Sequence, residues 1–225
     1  MSARTPDEIY AEYRIPPNLQ QHQLRVAAVA KTICDSLRQT VDTRAVVLAS
    51  LFHDMGNIIK FDFALPLGDS AEDIPKWRAV QREFIERYGT DEHAATKEIA
   101  KEIGIPIDVM RIVDSFGFKK MENMRDMLPL EYKIAEYSDL RVAPTGVVSL
   151  DERIAEGRAR YLRRTDHEKY GMTADEGKHQ ILLEAAHEIE RQIFALSSIK
   201  PEDITDESVQ ATVNELRSYA VTGDD

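Results

Sequence analysis

Two residues of metal-binding type, His53 and Asp54, stand side by side in the first quarter of the chain. Imidazole and carboxylate together suit a catalytic divalent cation. Both fall in the second half of an apolar segment, Ala45 to Ile59, where Val47, Leu51, Met55 and Ile58 recur at helical spacing. The segment reads as a buried helix. Asp54 lies close to its apolar stripe, where an ionised carboxylate is costly unless something positive meets it. A divalent cation would do so. An adjacent His-Asp pair also arises by chance, so the reading depends on whether other elements bring further ligands to it.

Two elements offer one each. Leu19, Val26, Val29, Ile33 and Leu37 form the stripe of a helix that Asn18 can cap and that runs to about Leu37. His22 lies on that stripe. It is either a core histidine with one hydrogen-bonded nitrogen or a ligand projecting toward His53 and Asp54. The link around Arg38 to Asp42 is short, so these two helices read as antiparallel neighbours. The second element runs from Pro129 to about Val142. Asp139 shares one side of it with Ala135 and Val142, as an inward ligand or as an ordinary salt-bridged residue.

The other segments read as supports. Thr5-Pro6-Asp7-Glu8 starts a short helix that Ile15-Pro16-Pro17 ends. Lys60 to Pro75 reads as a loop, and Pro75 to Tyr88 as a helix carrying Trp77, Phe84 and Ile85. Thr90-Asp91-Glu92 opens a helix with His93 in its first turn and Gly104 at its end. Asp108 to Ser115 is helical again. Gly117 and Lys119-Lys120 lie in or near a turn, where a lysine pair is usually solvated surface. Ala143 to Gly146 is a turn, and Ser149 and Glu152 form a capping box opening a helix to about Arg164. Thr173 to Glu176 opens another, with His179 and His187 at its surface or boundary. A last helix spans roughly Glu207 to Ala220. No segment reads as a strand, so the expected class is all-α.

Composition narrows the partners. The formal net charge of -11 argues against non-specific binding to nucleic acid, while leaving room for a local basic pocket. The single cysteine, Cys34, excludes an intrachain disulfide. No apolar run approaches the ~20 residues of a membrane span, and the first residues lack the apolar core of a signal peptide. The chain is therefore read as cytoplasmic, with no membrane partner.

His22, then His53-Asp54, then Asp139, each on a separate helix, resemble the H…HD…D pattern of the HD superfamily of metal-dependent phosphohydrolases. The resemblance covers roughly residues 18 to 145. Leu48 to Gly56 resembles the family's apolar run into HD-x-G, His93 to Pro106 its histidine-led helix and Gly-Ile-Pro turn, and Ser138 to Arg153 its aspartate helix and following turn. It implies an HD-domain-like helical bundle over 18–145, a helical extension over 1–17, and additional C-terminal helices over 146–225 packed on the core. It also implies one divalent metal ion (Mn, Fe, Co, Ni or Mg) on His22, His53, Asp54 and Asp139. Asp54 would in addition help orient the attacking water. The implied reaction is hydrolysis of a small phosphorylated metabolite or nucleotide. Candidate substrate contacts are His93, Asn57, Lys60, Arg78 and Arg141.

The sequence also departs from the family. Two-metal members carry two further histidines. His93 matches the first, whereas Ser115 and Phe116 stand where the second would fall. Asn57 occupies a place where many members have Lys and nucleotidase-like members have Glu, and Asn cannot transfer that proton. These departures motivate the alternative, a catalytically inactive HD-fold module that binds a ligand or regulates. A dimer is allowed, though nothing in the sequence argues for one.

Overall fold

The computed structural model describes residues 4–63, 73–127, 129–162, 173 and 175–221. Its elements follow from local signals in the order of the chain. Thr5 and Glu8 form a reciprocal capping box at the start of α1 (Pro6–Glu12). The long α2 (Pro17–Ser36) begins with Pro17 in its first turn and Pro16 as the flanking residue. Asn18 does not cap it, contrary to the sequence reading. Its Oδ1 accepts the neighbouring Leu19 N–H (2.9 Å). Proline at the first position has the helical φ already set and no N–H to satisfy, so the helix starts before Asn18 could cap it.

α3 (Thr43–Phe52) is capped by Asp42, whose carboxylate accepts the Ala45 N–H (2.9 Å). It stops at Phe52 instead of running on to Ile59. Distant side chains take the groups that would extend it. Tyr10 Oη donates to the Leu51 carbonyl (2.6 Å), and the Asp54 N–H turns to Gln23 Oε1 (3.3 Å). The chain then turns through 53–56 into a 3₁₀ turn, Asn57–Lys60. Gln81 Nε2 reaches the carbonyls of Ile58, Ile59 and Phe61 at 2.9, 3.2 and 3.0 Å. Met55 and Ile58 stay fully buried, so the apolar spacing persists through the break.

The middle of the chain forms α4 (Ile74–Tyr88), α5 (Glu92–Ile103), α6 (Ile107–Val113), α7 (Met121–Met127) and α8 (Leu130–Asp139). Of the loop expected over Lys60 to Pro75, residues 64–72 lie outside the described residues. A small antiparallel ladder pairs β1 (Val142–Ala143) with β2 (Gly146–Val147), a hairpin the all-helical reading did not contain. Gly146 has φ +139°, which its missing Cβ permits, and this lets the four-residue turn fold back on itself. The Ser149–Glu152 capping box is present and opens α9 (Leu150–Leu162). The helix end expected at Arg164, like Ala174 in the expected start of the next, lies outside the described residues. α10 (Glu176–Phe194) and α11 (Asp206–Leu216) complete the fold.

α2 is the axis. It packs on α3, α8 and α11, while α3 also packs on α6 and α8. α10 lies on α7 and α8. The turn after α10 is bound to the end of α2 through Ser36 Oγ and Ser197 Oγ (2.6 Å), and the Ser198 N–H donates to the Ser36 carbonyl (2.9 Å). His179 is buried against the Phe118 ring (5.8 Å between centroids), not at the surface or boundary expected from the sequence. Burial lowers its pKa. No described helix is long and apolar enough to cross a membrane.

Candidate metal centre

Because α2 packs on both α3 and α8, one point of contact gathers residues far apart in sequence. His22 comes from within α2, His53 from the end of α3, Asp54 from the turn that follows, and Asp139 is the last residue of α8. His22 Nε2 lies 3.0 Å from Asp139 Oδ1 and 3.7 Å from Asp54 Oδ2. His53 Nε2 lies 3.6 Å from Asp54 Oδ2 and 3.6 Å from Asp139 Oδ1. His22, His53 and Asp54 offer donor atoms that all fall within 4.8 Å of one another.

His53 carries the test of what this cluster can hold. Its side chain is only 2 % exposed. Nδ1 contacts the Ser50 carbonyl (2.8 Å), and a carbonyl can only accept, so Nδ1 bears the hydrogen. That bond fixes the tautomer and leaves Nε2 as the available lone pair. Nε2 is buried and has no hydrogen-bond partner among the described residues. The Phe116 ring stacks on the imidazole (4.6 Å, 16°) and holds its plane. A buried nitrogen donor facing two carboxylates, with a second imidazole beside them, fits a divalent cation of intermediate softness.

The electrostatics favour a positive charge at this point. Burial pushes the His53 pKa down, but the Asp54 and Asp139 carboxylates push it up further, to about 9. Burial would raise the Asp139 pKa, and contact with His22 and His53 instead holds it well below the usual carboxylate range. In the metal-free cluster a proton on His53 thus supplies the charge that a cation would bring.

Glu136 is a neighbour that the sequence reading passed over. It lies one turn before Asp139, is 1 % exposed, and accepts the Gly117 N–H through Oε2 (2.7 Å). Burial, then the Asp139 charge, push its pKa up to about 8. At neutral pH it adds no third negative charge. Its three-residue spacing from Asp139 was the available signal.

The residues expected to touch substrate are scattered. His93 is exposed and borders a cleft that it shares with His53, Lys97, Asp114, Phe116 and Lys120. Asn57 is buried in the 3₁₀ turn, its N–H on the Asp54 carbonyl (3.0 Å). Lys60 Nζ lies 3.4 Å from Glu92 Oε1. Arg78 borders a separate hollow with Phe61, Phe63 and Arg82. Arg141 is 4 % exposed and faces away from the cluster. Its Nε donates to the Val148 carbonyl (2.5 Å), Nη1 to Tyr137 Oη (2.7 Å), and Nη2 to the carbonyls of Pro201 and Ile204 (3.1 and 3.2 Å). Its guanidinium is committed to holding the chain after α8 against the chain before α11. It is not a substrate contact.

A family model described as HD domain matches residues 19–168. Comparison with curated proteins and with solved structures returns no match. With two thirds of its length matched, the chain belongs to the HD domain family, within the superfamily of metal-dependent phosphohydrolases.

Proposed function

We propose that the protein hydrolyses a phosphate ester or anhydride of a small metabolite or nucleotide, using one divalent cation held by His22, His53, Asp54 and Asp139. The observation that carries this reading is the meeting of two imidazoles and two carboxylates around a buried His53 Nε2 that has no hydrogen-bond partner among the described residues. A divalent cation at such a site acidifies water to a nucleophile near neutral pH and offsets charge on a phosphoryl group.

The chain's own residues do the rest. The Ser50 carbonyl keeps the His53 proton on Nδ1, so that Nε2 faces the carboxylates. Phe116 covers one face of that ring and restrains its rotation. Asp54 is held by its backbone bond to Gln23 and is 20 % exposed, so its carboxylate can accept a hydrogen bond from the attacking water and aim it. Burial, then the Asp139 charge, favour the neutral form of the neighbouring Glu136 carboxyl.

The test is phosphate release from a mixed panel of nucleotides and sugar phosphates. The protein is stripped of metal and reloaded with Mn, Co, Fe, Ni or Mg, with Asp54→Ala run beside it. Metal-dependent release that vanishes in Asp54→Ala supports the reading. Ligand binding without turnover would transfer it to a binding or regulatory module.

A further inference from the structure

In a chain of net charge -11, lysine ammonium groups commonly sit opposite carboxylates, as Lys97 does with Asp114 (2.6 Å) and Lys60 with Glu92 (3.4 Å). Lys120 is different. Its Nζ donates to two main-chain carbonyls, Asp114 (2.6 Å) and Phe116 (2.9 Å), and no carboxylate lies within 4.0 Å of it among the described residues. An ammonium has three N–H groups, so one remains for another acceptor. The two carbonyls hold the charge in place at no cost in neutralisation.

Lys120 borders the cleft that includes His53. Its anchor Phe116 is also the residue stacked on the His53 ring, so one short segment fixes both the ammonium and a member of the cluster. Lys97 and His93 border the same cleft, where Asp114 is the only lining carboxylate among the described residues. The cleft is therefore positive within an acidic protein, and such local charge concentrates anions. Its space of about 140 Å³ is below that of whole-ligand sites and suits a single phosphate group.

We propose that this cleft seats a second, non-transferred phosphate of the substrate on Lys120, with Lys97 bordering the same cleft. The inference rests on the hydrolase reading for its partner phosphate at His53 and narrows the substrate to a small metabolite carrying two phosphate groups. Lys120 and Lys97 are then specificity residues.

Binding can be tested apart from turnover. Inorganic phosphate is titrated into the metal-stripped protein and followed by backbone amide shifts. Saturable shifts are expected at Lys97, Gly117 and Lys120, with affinity about tenfold weaker in Lys120→Gln, since a charge-assisted bond is lost. Lys97→Gln, which breaks no backbone contact, should weaken binding in the same direction. Asp114→Asn removes the opposing charge and should tighten it, a gain that misfolding cannot imitate. In the reloaded enzyme, Lys120→Gln should lower the kcat/KM ratio of fructose 1,6-bisphosphate to fructose 6-phosphate, or of another such matched pair, through KM. Absence of saturable shifts, or shifts that neither lysine variant alters, would overturn the subsite. Loss of hydrolysis on every substrate with phosphate binding intact would overturn the hydrolase reading instead.

Discussion

Asp139 and Arg141 stand two residues apart, and their charges meet different fates. Arg141 is buried and its nitrogens are taken up by the chain: three carbonyls and the Tyr137 hydroxyl. Asp139 faces two imidazoles in a cluster where His53 Nε2 has no hydrogen-bond partner among the described residues. Buried polar groups are costly unless paired. A charge whose partners all come from its own chain is a strut. A converging set with an unmet donor invites a ligand. Lys120 lies between these cases, anchored by carbonyls with no carboxylate within 4.0 Å among the described residues.

The contrast is sharpest when the two regions are cut separately. Loss of a group that merely supports a metal ligand costs about 10–100-fold in affinity. Asp54→Ala or His53→Ala, which removes a ligand, should therefore weaken metal binding by more than about a hundredfold. Chelator competition measures this, and the fold should survive. Arg141→Met should do the reverse. It removes the buried guanidinium and leaves three carbonyls and the Tyr137 hydroxyl without their donor, which should cost about 3 kcal/mol of stability in urea unfolding, with metal affinity retained. If Arg141→Met weakened metal binding while leaving stability intact, the division between strut and site would fail.

Gly56→Ala should affect both regions. A Cβ there would lie 2.3 Å from the Glu92 carbonyl oxygen and 2.9 Å from the Thr96 nitrogen. These are backbone atoms and cannot step aside, so the 53–56 turn must shift. The expected loss is about 2 kcal/mol, together with weaker metal binding. Thermal unfolding with and without metal separates the two effects.

A smaller effect comes from pH. The His53 pKa in the metal-free fold, about 9, lies above its ordinary value of 6.5. Its stabilising contribution is therefore fully present below pH 6.5 and is lost as pH rises through about 9. Metal requires the neutral imidazole, so affinity should climb over the same window and binding should release a proton. Calorimetry in buffers of different ionisation enthalpy reads that proton directly. A pH-independent affinity from 6.5 to 9 would contradict the coupling between His53 and the two carboxylates.

Much of the centre was legible because its residue types are rare on apolar faces. His22 sits on the α2 stripe and His53-Asp54 in an apolar run, and helical spacing turned them inward. The end of α3 was not legible. Met55 and Ile58 continue its apolar spacing, whereas the groups that stop it, Tyr10, Gln23 and Gln81, act from other helices. The fate of Arg141 was not legible either, because α8 ends at Asp139 and the carbonyls that bind its guanidinium, those of Val148, Pro201 and Ile204, lie beyond that helix. Lys120 had no sequence signal, because its distinction lies in main-chain carbonyls and in an absent carboxylate.

Metal stoichiometry tests the central claim most directly. Wild-type protein, stripped and reloaded with Mn, Co, Fe, Ni or Mg in turn, should retain one equivalent per chain after desalting for at least one of these metals. His22→Ala, Asp54→Ala and Asp139→Ala should each retain almost none, while circular dichroism shows the same helix content. Equal metal in wild type and in all three variants, or none in any, would contradict the account that these four residues converge to hold a cation.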